Sequence, residues 1–499
     1  MNKTFRPYEP DQPLLMPASI QDWLPEDHLA YFISDVVDRL DLSELIERYE
    51  REPRGGPPYH PVMMVKVLLY GYCCGVTSSR KLENRLLEDV AFRALAAHNT
   101  PDHRTIADFR KNHLDVLSGL FTQALALCAA AGLVKLGHVS LDSTKIKANA
   151  SKHKAMSYGR MKERIGELSA AVDELLKEAE QVDEEEDRRH GKGRRGDELP
   201  KELAFKQARL ARLDAAREAL EAHAREEAAK AAEEGRAHPG VPGEREQINF
   251  TDAESKIMPA PGGKTFVQAY NCQAVVDSAH QVIVAARATN QSTDVHQAAA
   301  MIREAIGNVG AVPREMSADA GYYSAPAVQE VERLGVEAFI APDRTRHGTK
   351  VPPAPRGRIP AGLSPRDRMR RKLRTKRGRG RYALRMQTAE PAFGQIKEGQ
   401  EFREMSMRGL EKADGEWLLV CTAHNLLKLY RHGDKTVQRG PRGVHEPLSH
   451  LRKPRLRAIY PRPEGRPCGR TLQPVESGWA HRCMRLSSKS PFRITRTDS

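Results

Sequence analysis

The sequence predicts an α/β chain: a mixed sheet flanked by helices, with an all-α segment before it and a charged helical hairpin inserted into it. Three observations predict this. Short runs bounded by turn residues, at 139–141, 265–276, 281–288, 316–318 and 336–341, have the alternating or wholly apolar character of strands. Apolar residues at helical spacing fill the region before them, as in Leu29, Phe32, Ile33, Val36, Val37 and Leu40. Between the first two strands, Ile165, Leu168, Val172, Leu175, Ala179 and Val182 step by alternating threes and fours, a heptad seam.

Taken in order, residues 1–20 are polar and Pro-rich and read as an arm. Residues 21–132 form the helical domain. Pro61 starts a helix there, since proline is at home in a first turn. Ser78 or Ser79 caps the next, with Leu82, Leu86, Leu87 and Val90 on its inner face. The polar stretch from His98 to Thr105 then separates it from IADFRKNH. A helix-turn-helix would send Asp102 to His113 into a DNA groove and turn Arg104, Arg110 and Lys111 toward phosphates or bases. An ordinary helical bundle fits the same pattern. Leu114 to Ala131 is a further apolar helix leading to the first strand.

The sheet domain is made of residues 133–154 and 237–435. Residues 155–236 between its halves read as an antiparallel hairpin, broken at His190 to Pro200, with Leu203, Leu210, Leu213 and Leu220 marking its second helix. Its charge runs read as solvated faces. After the second and third strands come a helix at about 294–308, a strand ending at Asp319, a helix at 325–334, a fifth strand and a helix that carries Glu390. Residues 436–499 are rich in Arg, Pro and Gly without a sustained period, a composition that argues against a packed fold and suits a basic tail from an altered or read-through frame.

Candidate chemistry starts at GHVSLDSTKIKANA, where an apolar strand ends on Asp142. A carboxylate in that position is costly unless something pairs with it, and a metal ion is one such partner. Asp319 likewise ends a strand before the turn at Gly321, and Glu390 opens a helical pattern in TAEPAFGQIKEGQEF. Pro391 puts Glu390 near a helix start, where negative charge is favoured. Singly, Asp319 is also a turn former and Glu390 a helix-start acid.

These residues carry a resemblance. LDSTKIKANAS, ADAGYYS, the run Tyr382, Arg385, Glu390 and Lys397, and RGLEKADGEWLLVCTAHNLLKLY resemble bacterial insertion-sequence transposases of the Asp-Asp-Glu class, over roughly Thr4 to Arg431. The resemblance implies a ribonuclease H-like core, whose order of strands and helices matches the one above. It implies Asp142, Asp319 and Glu390 as catalytic residues holding Mg2+ or Mn2+, two ions, with Tyr382, Arg385 and Lys397 on DNA. Five positions, not the family's four, carry the chain from Arg385 to Glu390. Asp252 and Glu254 resemble a further family motif and read as loop residues that shape the site. The implied reaction is cleavage at transposon ends and strand transfer into target DNA. The implied partners are double-stranded DNA, at terminal inverted repeats and at the target, and a second copy of the chain in a homodimer or larger assembly. A decayed DNA-binding relative, or a nuclease without strand transfer, are the rival readings.

Charge and cysteine usage agree. The 499 residues hold 80 Lys and Arg against 66 Asp and Glu, a net charge of +14 with a pI of about 9.4, which favours a polyanionic partner. The densest run is SPRDRMRRKLRTKRGRGR, including Arg370, Arg371, Lys372, Arg374 and Lys376, a pattern normally disordered alone. Beside the candidate site it reads as phosphate-contacting, giving affinity rather than specificity. Seven cysteines without a CxxC pair indicate neither a disulfide framework nor zinc, and suit a reducing cytoplasm, with nucleoid association through DNA. The start lacks the apolar core of a secretory signal, and Val62 to Val76 is short and interrupted by Lys66, so no membrane partner is expected. His424, in the leucine-rich helix, reads as a core residue rather than a ligand.

Overall fold

Seven helices open the computed structural model: α1 (Leu29–Val37), α2 (Ser43–Glu50), α3 (Pro61–Cys73), α4 (Ser79–Glu88), α5 (Val90–Leu95), α6 (His103–Asn112) and α7 (Leu114–Ala130). The structure describes residues 19–433 except 52–55, 191–200, 234–236, 261–264, 345–351, 359 and 361. The expected tail at 436–499, and all but the end of the arm at 1–20, lie outside the described residues.

Pro61 begins α3 at its first turn, and eleven of that helix's thirteen residues are buried. Gly71 lets α4 approach: a Cβ there would lie 2.5 Å from Leu82 Cδ2. The helix expected to run through Val90 breaks at Asp89 instead. Its carboxylate accepts the N–H groups of Ala91 and Phe92 and so caps α5, leaving Leu87 exposed. Asp102 caps α6 in the same way, accepting from Thr105 N–H at 2.8 Å.

The sheet carries β1 (Val139–Lys147), β4 (Lys256–Pro259), β5 (Phe266–Asp277), β6 (Ile283–Thr289), β7 (Glu315–Ala318) and β8 (Glu337–Ile340). Across it the order is β6-β5-β1-β7-β8, with β4 on the same edge of β5 as β6. β6, β5 and β1 pair antiparallel, and β1, β7 and β8 pair parallel. Parallel neighbours need crossovers. Helices α10 (Gln297–Val309) and α11 (Ala325–Arg333) lie between the strands concerned, and α12 (Pro365–Arg374), α13 (Lys376–Gly394) and α14 (Leu410–His432) follow β8.

The hairpin consists of α8 (Tyr158–His190) and α9 (Lys201–Glu233), closed at its base by an antiparallel ribbon of β2 (Ala155–Ser157) and β3 (Gln247–Asn249). Leu168 and Val172 of the expected seam are buried, and with Tyr158, Met161, Leu213, Leu220 and Ile248 they line the hairpin. The side chains of Ala179, Val182 and Leu203 lie outside the described residues.

The helical segment shares its core with the sheet: one apolar cluster runs from Ala30 to Leu429. The joint contains a polar knot. Tyr72 Oη donates to Glu416 Oε1 at 3.0 Å, Arg110 Nη1 donates to Tyr72 Oη at 3.1 Å and to Thr77 O at 2.7 Å, and Ser406 N–H donates to Glu416 Oε2 at 2.9 Å. Glu416 is wholly buried and Arg110 is 4% exposed. That corrects the expectation for Arg110: its charge answers a buried carboxylate and cannot reach a DNA groove.

The basic run is helical, not disordered alone. Ser364 and Thr375 cap α12 and α13 by accepting the N–H groups of Asp367 and Gly378. A Cβ on Gly378 would lie 2.0 Å from Lys372 O, so the two helices meet there over a glycine. Acidic residues of the sheet edge absorb part of the charge: Arg370 Nε pairs with Asp343 at 2.5 Å, Lys372 with Glu337 at 3.2 Å, and Arg377 with Glu315 at 2.7 Å.

Two outcomes follow from this packing. Arg110→Ala, which strands Glu416, is expected to lower unfolding stability by about 3–5 kcal/mol in urea titrations. Asp414 offers a pH test. Burial pushes its carboxyl up to about 6, against the N–H of Ala288 and the charge of Arg287, which lower it. The unfolded chain ionises near 3.8, so stability falls as pH rises from there through about 6, by roughly 3 kcal/mol at about 1.4 kcal/mol per unit. Asp414→Asn keeps an acceptor for Ala288 N–H and removes the titration. Its stability relative to the wild type should therefore rise between pH 4 and pH 8, read from urea midpoints.

Candidate active site

β1 and β7 run parallel in a register that matches Leu141 with Ala318, so the next residues, Asp142 within β1 and Asp319 just after β7, lie at one level. Asp319 follows the end of β7, but the expectation for Asp142 is corrected: β1 runs on to Lys147, and Asp142 lies within it, opposite Ala274 of β5. Asp142 Oδ1 accepts the N–H of Ser143 at 2.8 Å, and Asp319 Oδ1 accepts the N–H of Gly321 at 2.8 Å, which starts a short 3-10 turn.

Helix α13 packs on β1, β5, β7 and β8 and carries the remaining residues. Arg385 Nη1 donates to Asp142 Oδ2 at 3.2 Å, and its Nη2 lies 3.7 Å from Glu390 Oε1. One guanidinium therefore spans Asp142 and Glu390, and its Nε is buried without a hydrogen-bond partner. Its carbon lies 5.8 Å from the Tyr382 ring centre, a cation–π contact. Five positions from Arg385 to Glu390 are bridged because the arginine side chain is long enough to reach both acids.

The placement of Glu390 corrects one expectation. Pro391 lies inside α13, and Glu390 is in its last turns, not near its start. Proline there leaves the carbonyl of Gln387 without its helical donor. Gln281 supplies one: its Nε2 donates to Gln387 O at 2.9 Å, while Lys428 holds its Oε1 at 2.8 Å. Beyond Gly394 the helix widens into a π turn over Gln395–Gly399, which bears Lys397. Such turns recur at functional sites.

Electrostatics joins the residues. Burial pushes the Asp142 carboxyl up to about 6; Ser143 N–H and Arg385 resist, while Asp319 and Glu390 add to the rise. Burial raises the Tyr382 hydroxyl, as do the charges of Asp319 and Asp142. Burial lowers the Lys397 ammonium, against the pull of Asp142. Contacts therefore join Asp142, Arg385, Glu390 and Tyr382, with Asp319 at the level of Asp142 on the next strand and Lys397 within reach of the Asp142 charge.

The other expected contacts do not join them. Arg370 and Lys372 are paired along the β8 side as described, and Arg371 donates to the carbonyls of Arg356, Gly357 and Arg358. Arg374 and Lys376 are exposed where α12 meets α13, and Arg104 is exposed on α6. His424 is buried with Nε2 2.9 Å from Gln281 O, and burial pushes its pKa down to about 3, as befits a core residue. Asp252 accepts from Tyr270 Oη at 2.8 Å and from Gly409 N–H at 3.2 Å, and Glu254 accepts from Leu410 N–H at 2.9 Å. These two acids hold the start of α14, where negative charge suits the helix dipole.

A second group of polar residues went unnoticed in the sequence. Ser143 faces Gln273 and Lys145 faces Asn271 across the β1–β5 pair, and all four side chains reach Asp294. Polar residues two apart on both strands were the available signal. Nothing near Asp294 itself marked it.

Metal fit is a matter of donors and distances. The donors are right, since three carboxylates offer only oxygen and suit hard divalent ions. Burial is the largest cause of Asp142's raised pKa, and Arg385 is the cation now between Asp142 and Glu390. Among the described residues no group of three histidine, cysteine, aspartate or glutamate side chains is drawn close enough to hold an ion.

Comparison with known protein families gives two matches. Residues 18–112 match a transposase domain (DUF772), and residues 359–430 match a transposase DDE domain, the segment bearing Arg385, Glu390 and Lys397. Two segments of this chain belong to transposase families. The resemblance to insertion-sequence transposases of the Asp-Asp-Glu class therefore holds. No curated protein and no solved structure matches the chain. No single described helix is long and apolar enough to cross a membrane.

Gly321 provides a test of the transposase site. A Cβ there would lie 3.0 Å from Asp319 Oδ1 and 3.4 Å from Asp294 Oδ2. Gly321→Ala is expected to displace the Asp319 carboxylate and slow metal-dependent DNA cleavage at least about tenfold. The thermal midpoint should stay near that of the wild type. Unchanged cleavage would mean that this turn does not set Asp319.

Proposed function

We propose that this transposase cleaves DNA at the ends of its element and joins the freed end to target DNA. The observation that carries the reading is the meeting of Asp142 and Asp319, at one level on neighbouring parallel strands, with Glu390 through Arg385. The sheet order β6-β5-β1-β7-β8, antiparallel on one side of β1 and parallel on the other, supports a ribonuclease H-like core.

In this reading Asp142, Asp319 and Glu390 hold Mg2+ or Mn2+, two ions. When bound, the ions activate the attacking oxygen and steady the leaving oxygen of a phosphodiester. Arg385 releases the carboxylates and turns its guanidinium to a DNA phosphate, for which its unpartnered Nε is ready. Lys397 meets a phosphate from the π turn, and Tyr382 packs beside Arg385. Exposed Arg374 and Lys376, with Arg104 on α6, add sequence-independent backbone contacts.

The chemistry is two transesterification-type steps. Water attacks the phosphorus at the element's end, a P–O bond breaks, and the departing 3′ oxygen takes a proton. That 3′-hydroxyl then gives up its proton and attacks a target phosphodiester, displacing a second 3′ oxygen. No covalent protein–DNA bond forms, so neither Ser143 nor Tyr322 is required as a nucleophile. A homodimer or larger assembly brings two ends together, in the cytoplasm and on nucleoid DNA.

The test is cleavage of end-containing DNA with Mg2+, wild type against Asp142→Asn. The wild type should cut, and the variant should lose at least about a hundredfold, with unchanged DNA binding. Equal cutting by both would remove Asp142 from catalysis. DNA binding without cutting by either would identify a decayed, DNA-binding relative. A pre-cut 3′-hydroxyl end that is never joined to target DNA would leave a nuclease.

A further inference from the structure

We propose that Asp294 is a positioning residue of the cleavage site, tying the part of β1 that carries Asp142 to the turn that Asp319 caps; this rests on the cleavage reading above. Asp294 precedes α10 in the chain. Its Oδ1 accepts from Asn271 Nδ2 at 2.7 Å and from Gln273 Nε2 at 2.6 Å, and its Oδ2 accepts from Ser143 Oγ at 3.2 Å. The Lys145 ammonium lies 3.9 Å from Oδ1 and balances the charge.

Two routes lead from this carboxylate to the catalytic aspartates. The first is short: Ser143 follows Asp142, and its N–H donates to Asp142 Oδ1 at 2.8 Å while its hydroxyl donates to Asp294. One residue thus grips both acids. The second runs through Gln273. Its amide nitrogen is on Asp294, its Oε1 accepts the hydroxyl of Tyr322, and its backbone carbonyl accepts the Trp417 indole N–H at 2.9 Å. Tyr322 is wholly buried in the turn that Asp319 caps. Gly321, in the same turn, has Asp319 on one side and Asp294 on the other, close enough that a Cβ would touch both.

A loop anchor alone would not need this arrangement. The loop is already held by Asn271 Nδ2, which also donates to Gln291 O at 3.0 Å, and by Gln297 N–H on Asp294 O at 3.0 Å. A half-buried carboxylate carries a desolvation cost that a neutral acceptor avoids. The charge keeps Lys145 directed at the site, where Asp294, Asp319 and Asp142 all hold its ammonium in the charged form against burial. Groups that orient metal ligands from behind commonly govern affinity or rate by about 10–100-fold.

The experiment uses the full chain, end-containing DNA and Mn2+, with Asp294→Asn and Ser143→Ala. Three quantities are read: the Mn2+ concentration giving half-maximal cleavage, the thermal midpoint without metal, and the rise in midpoint that Mn2+ produces. Asp294→Asn should raise the half-maximal Mn2+ by about 10–100-fold and remove most of the Mn2+-induced rise, with the metal-free midpoint near the wild type's. Ser143→Ala, which cuts only the short route, should act in the same direction, and it decides the matter if Asp294→Asn does not fold. Unchanged half-maximal Mn2+ and an unchanged Mn2+-induced rise overturn the proposal, including where the metal-free midpoint alone falls. A wild type that does not cleave defeats the cleavage reading instead, and the Mn2+-induced rise still decides for or against Asp294. No such rise even in the wild type overturns both.

Discussion

Parallel pairing of β1 with β7 brings two aspartates together that the chain separates by a helical hairpin with its ribbon, three further strands of the sheet and a helix. Strand geometry allows no drift: a slip of one residue would send each side chain to the other face. The pairing is itself held by burial, since Val139, Leu141, Met316 and Ala318 are all wholly buried. Everything at the site inherits its position from that register, including the helix that lies over it.

Charge is distributed around this register in layers. Asp142 is 15% exposed at its side chain and Glu390 49%, so the acids grade from the sheet toward solvent. Arg385 crosses between them. Further out, the basic helices fold because acids at the sheet edge, Glu315, Glu337 and Asp343, give their arginines and lysine fixed partners. A run of like charges that would repel itself as free chain becomes a pair of capped helices once those partners are present. What remains exposed, such as Arg374 and Lys376, is the part left to meet a polyanion.

The helical segment at the front of the chain and the sheet share one core, so a division near residue 132 marks a change of composition and not a gap in packing. The buried knot of Tyr72, Arg110, Glu416 and Ser406 lies across that joint. It ties α3 and α6 to α14 and to the segment following the π turn. A site residue such as Lys397 is thereby coupled to the helices matched by the first transposase family, through a few bonds and a continuous apolar interior. The hairpin differs, being lined by a small cluster of its own.

Local pattern was enough to identify most strands and helices, because amphipathic period and turn chemistry act over a few residues, while the choice of three acids came from the resemblance. Asp319 was legible as a carboxylate just beyond a strand and His424 as a core histidine in an apolar helix, whereas Asp142 lies within β1, because Ser143 to Lys147 pair with β5 although their local pattern is polar. Glu390 was misplaced along its helix, since proline signals a helix start unless a distant side chain such as Gln281 satisfies the carbonyl it strands. Arg110 looked like a groove contact because nothing local reveals a buried glutamate more than three hundred residues away. Asp294 was silent for the same reason: its meaning depends on cross-strand neighbours. The sequence by itself determined which elements form and which acids are available. Only the tertiary structure decided which face each side chain occupies, which charges neutralise one another and which stand ready for a partner, because those outcomes depend on contacts between segments that local pattern does not record.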